Sequence, residues 1–192
     1  MSQVRSFLAV PLPKEVIEGA RHLQRRLGRE LPDIRWVKPE AMHLTLRFFG
    51  DIPEEYLEKI GKVMLSVGSL SSPFPLRVGG LGAFPLAARA RVVWMGIDGG
   101  RALTELYEAL ERGLSAIGLP GENRPYSPHL TLGRSRGRPL DAAKALERHR
   151  EAACEPVTVD RMVLFESRLR PSGPLHLPVK TVLLEKNAGE AG

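Results

Sequence analysis

The sequence predicts an α+β fold: two pseudo-twofold-related lobes of mainly antiparallel sheet, helices outside and a central cleft, in one bilobal domain over residues 1–192. Three observations predict it. Segments with the strand period of two interleave with segments whose apolar residues recur every three or four positions. Several neighbouring strands are joined by short turns rather than helices, which disfavours a doubly wound parallel sheet. And one pattern occurs twice, as Lys38-Pro39-x-x-x-His43-Leu44-Thr45-Leu46 and as Arg124-Pro125-x-x-x-His129-Leu130-Thr131-Leu132, the mark of an internal repeat.

The elements follow in order. Phe7-Leu8-Ala9-Val10 is a short apolar run ended by Pro11-Leu12-Pro13, hence a buried strand. Val16, Ile17, Ala20, Leu23 and Leu27 give a helix from Lys14 to about Arg29 with an Arg-rich outer face and Gly28 at its end. His43 to Phe49 alternates as a half-buried strand closed by Gly50-Asp51, and Pro53 opens a helix with its stripe on Tyr56, Leu57, Ile60, Val63, Met64 and Val67. Phe74 to Leu81 and Arg91 to Ile97 read as strands, with a turn at Asp98-Gly99-Gly100. A third helix carries Leu103, Leu106, Tyr107, Leu110, Leu114 and Ile117, and a second proline-led strand starts at His129. Ala142 to about Arg150 is a short helix, Val157 to Phe165 and Leu175 to Leu184 are the last strands, and the tail after Lys186 is expected to be mobile.

Composition narrows the function. With 192 residues, 43% of them hydrophobic, the chain can bury a core, and its apolar runs fall well short of the ~20 residues a bilayer span needs. No secretory pattern opens the chain, so a cytoplasmic, membrane-free protein is expected, monomeric for want of heptads. The single Cys154 allows no intrachain disulfide and reads as a small, at least half-buried side chain. The net charge of +6 rests on 21 Arg and 7 Lys, and planar guanidinium groups suit phosphate ligands. No Gly-rich dinucleotide or P-loop fingerprint occurs, and neither does a Gly-x-Ser-x-Gly elbow.

In each motif copy the strand period puts His and Thr on one face and the two Leu in the core behind them. One such histidine alone would most simply be a core or edge residue. Two copies meeting across one cleft instead offer two imidazoles and two hydroxyls to one ligand. That set suits proton transfer at phosphorus: a neutral imidazole takes a proton from water, a protonated one supports the leaving oxygen, and the hydroxyls hold the phosphate oxygens. Neither motif has metal-ligand spacing, so no metal and no other cofactor is expected.

These residues resemble the 2H phosphoesterases, and most closely the bacterial and archaeal RNA 2',3'-cyclic phosphodiesterases, also called 2'-5' RNA ligases. The likeness extends to Arg5 through Pro13, Arg35-Trp36-Val37-Lys38-Pro39, Phe48-Phe49-Gly50, Val92 through Gly96 and Leu164-Phe165-Glu166-Ser167. It implies a hydrolase that opens the 2',3'-cyclic phosphate at RNA ends to a 2'-phosphate, with His43 as proton donor, His129 as proton acceptor, and Thr45 and Thr131 on the phosphate. The residues alone fix the pair and not the order of the two roles. Arg134 is a candidate phosphate contact or a solvated surface residue. Phe48 and Tyr126 are candidates for stacking on a terminal base, core packing being the preferred role for Phe48. The alternatives are the same site joining a cyclic end to a 5'-hydroxyl, and a noncatalytic RNA-binding module.

Overall fold

A computed structural model describes residues 2–121, 125–170 and 173–185. Arg124 of the second motif and the tail from Lys186 lie outside the described residues. The strands are β1 (Gln3–Pro11), β2 (Ile34–Trp36), β3 (His43–Pro53), β4 (Phe74–Phe84), β5 (Val92–Asp98), β6 (His129–Ser135), β7 (Val157–Val159), β8 (Arg161–Arg168) and β9 (Leu175–Leu183). The helices are α1 (Lys14–Leu27), α2 (Glu55–Gly68), α3 (Gly100–Ala116) and α4 (Ala143–Arg148). The strands form a four-stranded sheet, β3-β1-β8-β9, and a five-stranded sheet, β2-β6-β5-β4-β7, with every pairing antiparallel.

β1 is an interior strand, between β3 and β8, which is why Ser6 through Val10 are all buried and the run is continuously apolar after Ser6. The helix after it does not stay on that sheet. α1 lies over the five-stranded sheet, where Gly28 abuts Trp36 and the buried Gln24 side chain donates from Nε2 to the carbonyls of Val37 and Leu132, both at 2.9 Å. α2 covers the four-stranded sheet, with Gly68 against Val182 of β9, and meets α3 where Gly113 faces Val63.

The duplication is visible in register. On β3, Thr45 stands opposite Ala9 and Arg47 opposite Leu8, so Leu46 is an extra residue in the ladder. On β6, Thr131 stands opposite Trp94 and Gly133 opposite Val93, so Leu132 is extra. Both strands thus bulge at the second leucine of the motif, which re-aims the chain at the same point in each lobe. The Leu132 carbonyl, freed from the ladder, accepts from Val37 N–H at 2.8 Å as well as from Gln24.

Two boundaries differ from those read in sequence. Gly50 does not close β3: at φ +69° it makes a second bulge, and pairing resumes through Asp51 opposite Arg5 to Pro53 opposite Gln3, so the helix begins at Glu55. The segment Val157 to Phe165 is not one strand. Val159 pairs with Phe74 in the five-stranded sheet, whereas Arg161 pairs with Leu183 in the four-stranded one, the chain changing sheets at Asp160. Apolar residues are buried on both sides of that step, Val159 and Met162 alike, so hydropathy runs through it unbroken.

Replacing Gln24 by Met keeps the bulk and removes both hydrogen bonds at the β6 bulge; the urea midpoint should fall by the equivalent of about 2 kcal/mol with the slope unchanged.

Candidate active site

Each motif strand shows the expected alternation. Leu44, Leu46, Leu130 and Leu132 are buried at 3% exposure or less, while His43, Thr45, His129 and Thr131 are half-buried. Two adjoining hollows receive them. One, of about 290 Å³, is lined by His43, Thr45, Thr131 and Arg134 together with Arg5 and His176. The other, of about 710 Å³, is lined by His129 and Thr45 with Arg47, Arg91, Tyr107 and Tyr126. Thr45 and Phe48 line both, so the hollow that holds His43 and Thr131 and the hollow that holds His129 adjoin along β3.

His43 starts β3 and stacks on Phe7 of β1, ring centroids 4.6 Å apart, with Phe165 of β8 next in the row at 5.2 Å from Phe7. His176 of β9 stands edge-on to His43 at 5.5 Å and to Phe7 at 4.8 Å, so the row crosses all four strands. Burial, reinforced by the neighbouring His176, pushes the His43 pKa down to about 4, against the pull of a hydrogen bond to the Ala41 backbone. Burial also lowers that of His176. At neutral pH both rings are therefore neutral in the unliganded protein.

His129 starts β6 in a matching setting, with Phe84 of β4 edge-on at 5.0 Å and Trp94 of β5 at 6.2 Å. Its Nδ1 lies 2.7 Å from the Ser127 carbonyl. A carbonyl only accepts, so Nδ1 carries the hydrogen and the neutral ring keeps its lone pair on Nε2.

The remaining candidates divide. Arg134 shares the smaller hollow with His43 and Thr131. Phe48 is not a core residue: it is 43% exposed, because the bulges at Leu46 and before Gly50 leave it on the rim, where the Arg5 guanidinium stacks 4.8 Å from its ring centroid. Tyr126 is stacked flat on Tyr107 at 3.9 Å and its hydroxyl donates to the Thr45 carbonyl at 3.2 Å. It braces the threonine strand, one ring face already taken, and burial raises its pKa. Sequence reading missed Arg5, Arg91 and His176. Arg5 stood within the run that carries the family likeness and Arg91 at the start of an expected strand, neither with a site role, and His176 sits in a strand with no motif around it. Among the described residues no three His, Cys, Asp or Glu side chains gather as a metal-binding group.

Comparison with known proteins points one way. The family model described as LigT like Phosphoesterase matches residues 10–94 and 97–176. The chain is 32% identical over 185 residues to the RNA 2',3'-cyclic phosphodiesterase of Methanothermobacter thermautotrophicus, covering 95% of this chain and 100% of that protein. To the protein of the same name from Thermotoga maritima it is 32% identical over 173 residues, 90% of this chain and 91% of the relative. Among crystal structures, TT0787 of Thermus thermophilus superposes with a TM-score of 0.80 at 28% identity, covering 95% of this chain and 98% of that one. E. coli LigT complexed with 3'-AMP does so with 0.76 at 25% identity, covering 96% and 100%.

The depressed His43 pKa fixes a pH dependence of stability. Between pH 6.5 and about 4 the unfolded chain takes up a proton on this ring that the folded protein refuses, so stability is full above that window and is lost as pH falls through it. The loss reaches at most about 3 kcal/mol. Urea denaturation at pH 7 and pH 4 should show wild type losing more stability than His43→Gln; equal losses contradict the assignment.

Proposed function

The chain belongs to the LigT-like phosphoesterase family, and we propose that it hydrolyses the 2',3'-cyclic phosphate at RNA ends to a 2'-phosphate by acid/base catalysis between His43 and His129. The observation that carries this reading is that the hollow lined by His43 and Thr131 adjoins the hollow lined by His129, with Thr45 and Phe48 common to both.

In the proposed reaction the cyclic phosphate sits between the two strands, its non-bridging oxygens hydrogen-bonded by the Thr45 and Thr131 hydroxyls and neutralised by Arg134. His129 is the base. The bond from Nδ1 to Ser127 leaves Nε2 free to take a proton from water as the water oxygen attacks phosphorus. His43 is the acid: as the bond from phosphorus to O3' breaks, its proton passes to O3', leaving a 2'-phosphate and a 3'-hydroxyl. In the unliganded protein His43 is neutral at pH 7, so the negative charge of the bound phosphodiester must draw the proton onto it. Substrate thereby helps to charge its own acid.

Joining to a 5'-hydroxyl would use the same imidazoles but require a second RNA end to be held and aligned; the relatives' names point to hydrolysis. No helix among the described residues is long and apolar enough to cross a membrane. The reading places the enzyme in the cytoplasm, acting as a monomer on RNA bearing cyclic ends.

An oligonucleotide ending in a 2',3'-cyclic phosphate, incubated with the protein in EDTA, should yield the 2'-phosphate; persistence of the cyclic end overturns the activity, a 3'-phosphate product reverses the leaving group, and loss of turnover in EDTA restores a metal. His43→Ala and His129→Ala should each lower kcat by about 10² to 10⁴-fold. A third check is the His43 ring titration followed by NMR with and without inorganic phosphate: bound phosphate should raise its pKa above the unliganded value of about 4, and an unchanged value counts against substrate-assisted charging.

A further inference from the structure

Arg35 lies on the short strand β2, directly opposite Arg134 of β6. Residues directly opposite in an antiparallel ladder place their side chains on the same face, with Cβ atoms about 4.5–5.5 Å apart, and like charges so placed repel. Ile34 and Trp36, the neighbours of Arg35, face the other way: a Cβ on Gly133 would lie 2.3 Å from Ile34 Cγ2 and 3.0 Å from Trp36 Cε3. Arg35 therefore points to the side of the sheet on which Arg134 enters the hollow with His43 and Thr131. Both arginines are exposed. Several other arginines are tied to carboxylates, as in Arg5 with Asp51, Arg47 with Glu111 and Arg168 with Glu166. Among the described residues neither Arg35 nor Arg134 forms such a pair.

The close approach is built in. Gly133 lets Ile34 and Trp36 press against β6, and Val37 N–H bonds the Leu132 carbonyl at 2.8 Å, so β2 cannot drift away and relieve the repulsion. Two guanidinium groups on the same face of the β2–β6 ladder, one of them lining the hollow with His43 and Thr131, suit two neighbouring anions.

We propose that Arg35 and Arg134 divide two consecutive phosphates of an RNA strand, Arg134 taking the cyclic end and Arg35 the phosphodiester next along the chain. This rests on the cyclic phosphodiesterase reading. Arg35 is then a specificity residue that distinguishes a polynucleotide end from a free cyclic nucleotide, which has no second phosphate.

The test compares Arg35→Gln and Arg35→Lys with wild type on a 2',3'-cyclic mononucleotide and on a trinucleotide ending in a 2',3'-cyclic phosphate. For Arg35→Gln, kcat/KM on the trinucleotide should fall about tenfold, with the mononucleotide changed less than about twofold. The slope of log kcat/KM against log salt on the trinucleotide should become shallower by about 0.7, the value of one phosphate contact on a single strand. Arg35→Lys keeps the charge and should keep the salt slope. An equal fall on both substrates, or an unchanged trinucleotide rate and slope, overturns the proposal. If wild type opens neither substrate, the failure lies with the activity itself.

Discussion

The site depends on four buried leucines. Leu44 and Leu46 on β3, and Leu130 and Leu132 on β6, are held in the core at 3% exposure or less. Because successive strand residues point to opposite faces, each buried leucine forces the residue beside it outward. A slip of one residue would drive the imidazoles inward and bring the leucines into water, at a cost of roughly 1.5–3 kcal/mol for each side chain exposed. The outward face is thus specified by residues held in the core, and the shared bulge at the second leucine sets the direction of the strand beyond it.

Duplication explains the likeness of the two imidazoles, and the strands around them explain their difference. Each ring leans on aromatic groups from neighbouring strands: Phe7 and Phe165 for His43, Phe84 and Trp94 for His129. Only the His43 row ends in another imidazole, His176. Burial is the main reason His43 resists a proton, and the His176 imidazole, supplied by β9 outside the duplicated strands, adds to it.

Much of this was legible in the sequence because periodicity and repetition are local. The alternation of His43 through Leu46 and of His129 through Leu132 showed which side chains leave the core, and the recurrence of the motif argued that both serve one ligand. Strand identity was less secure where neighbouring residues bury on different sheets. Val157 to Phe165 reads as one apolar run, yet it divides at Asp160, since hydropathy records burial and not the partner buried against. Phe48 shows the opposite error: an aromatic residue beside two buried leucines invites a core reading, but the bulge at Leu46 shifts it to the rim. His176 had no local signal, because the rings it meets most closely, Phe7 and His43, stand far away along the chain.

The path of the backbone between the sheets also limits how the cleft can work. The chain passes from one sheet to the other between β1 and β2, between β2 and β3, between β3 and β4, and again between β7 and β8. Two bodies joined by a single strap have one hinge; these two sheets are stitched at four places, so any movement of one against the other must bend all four passages together.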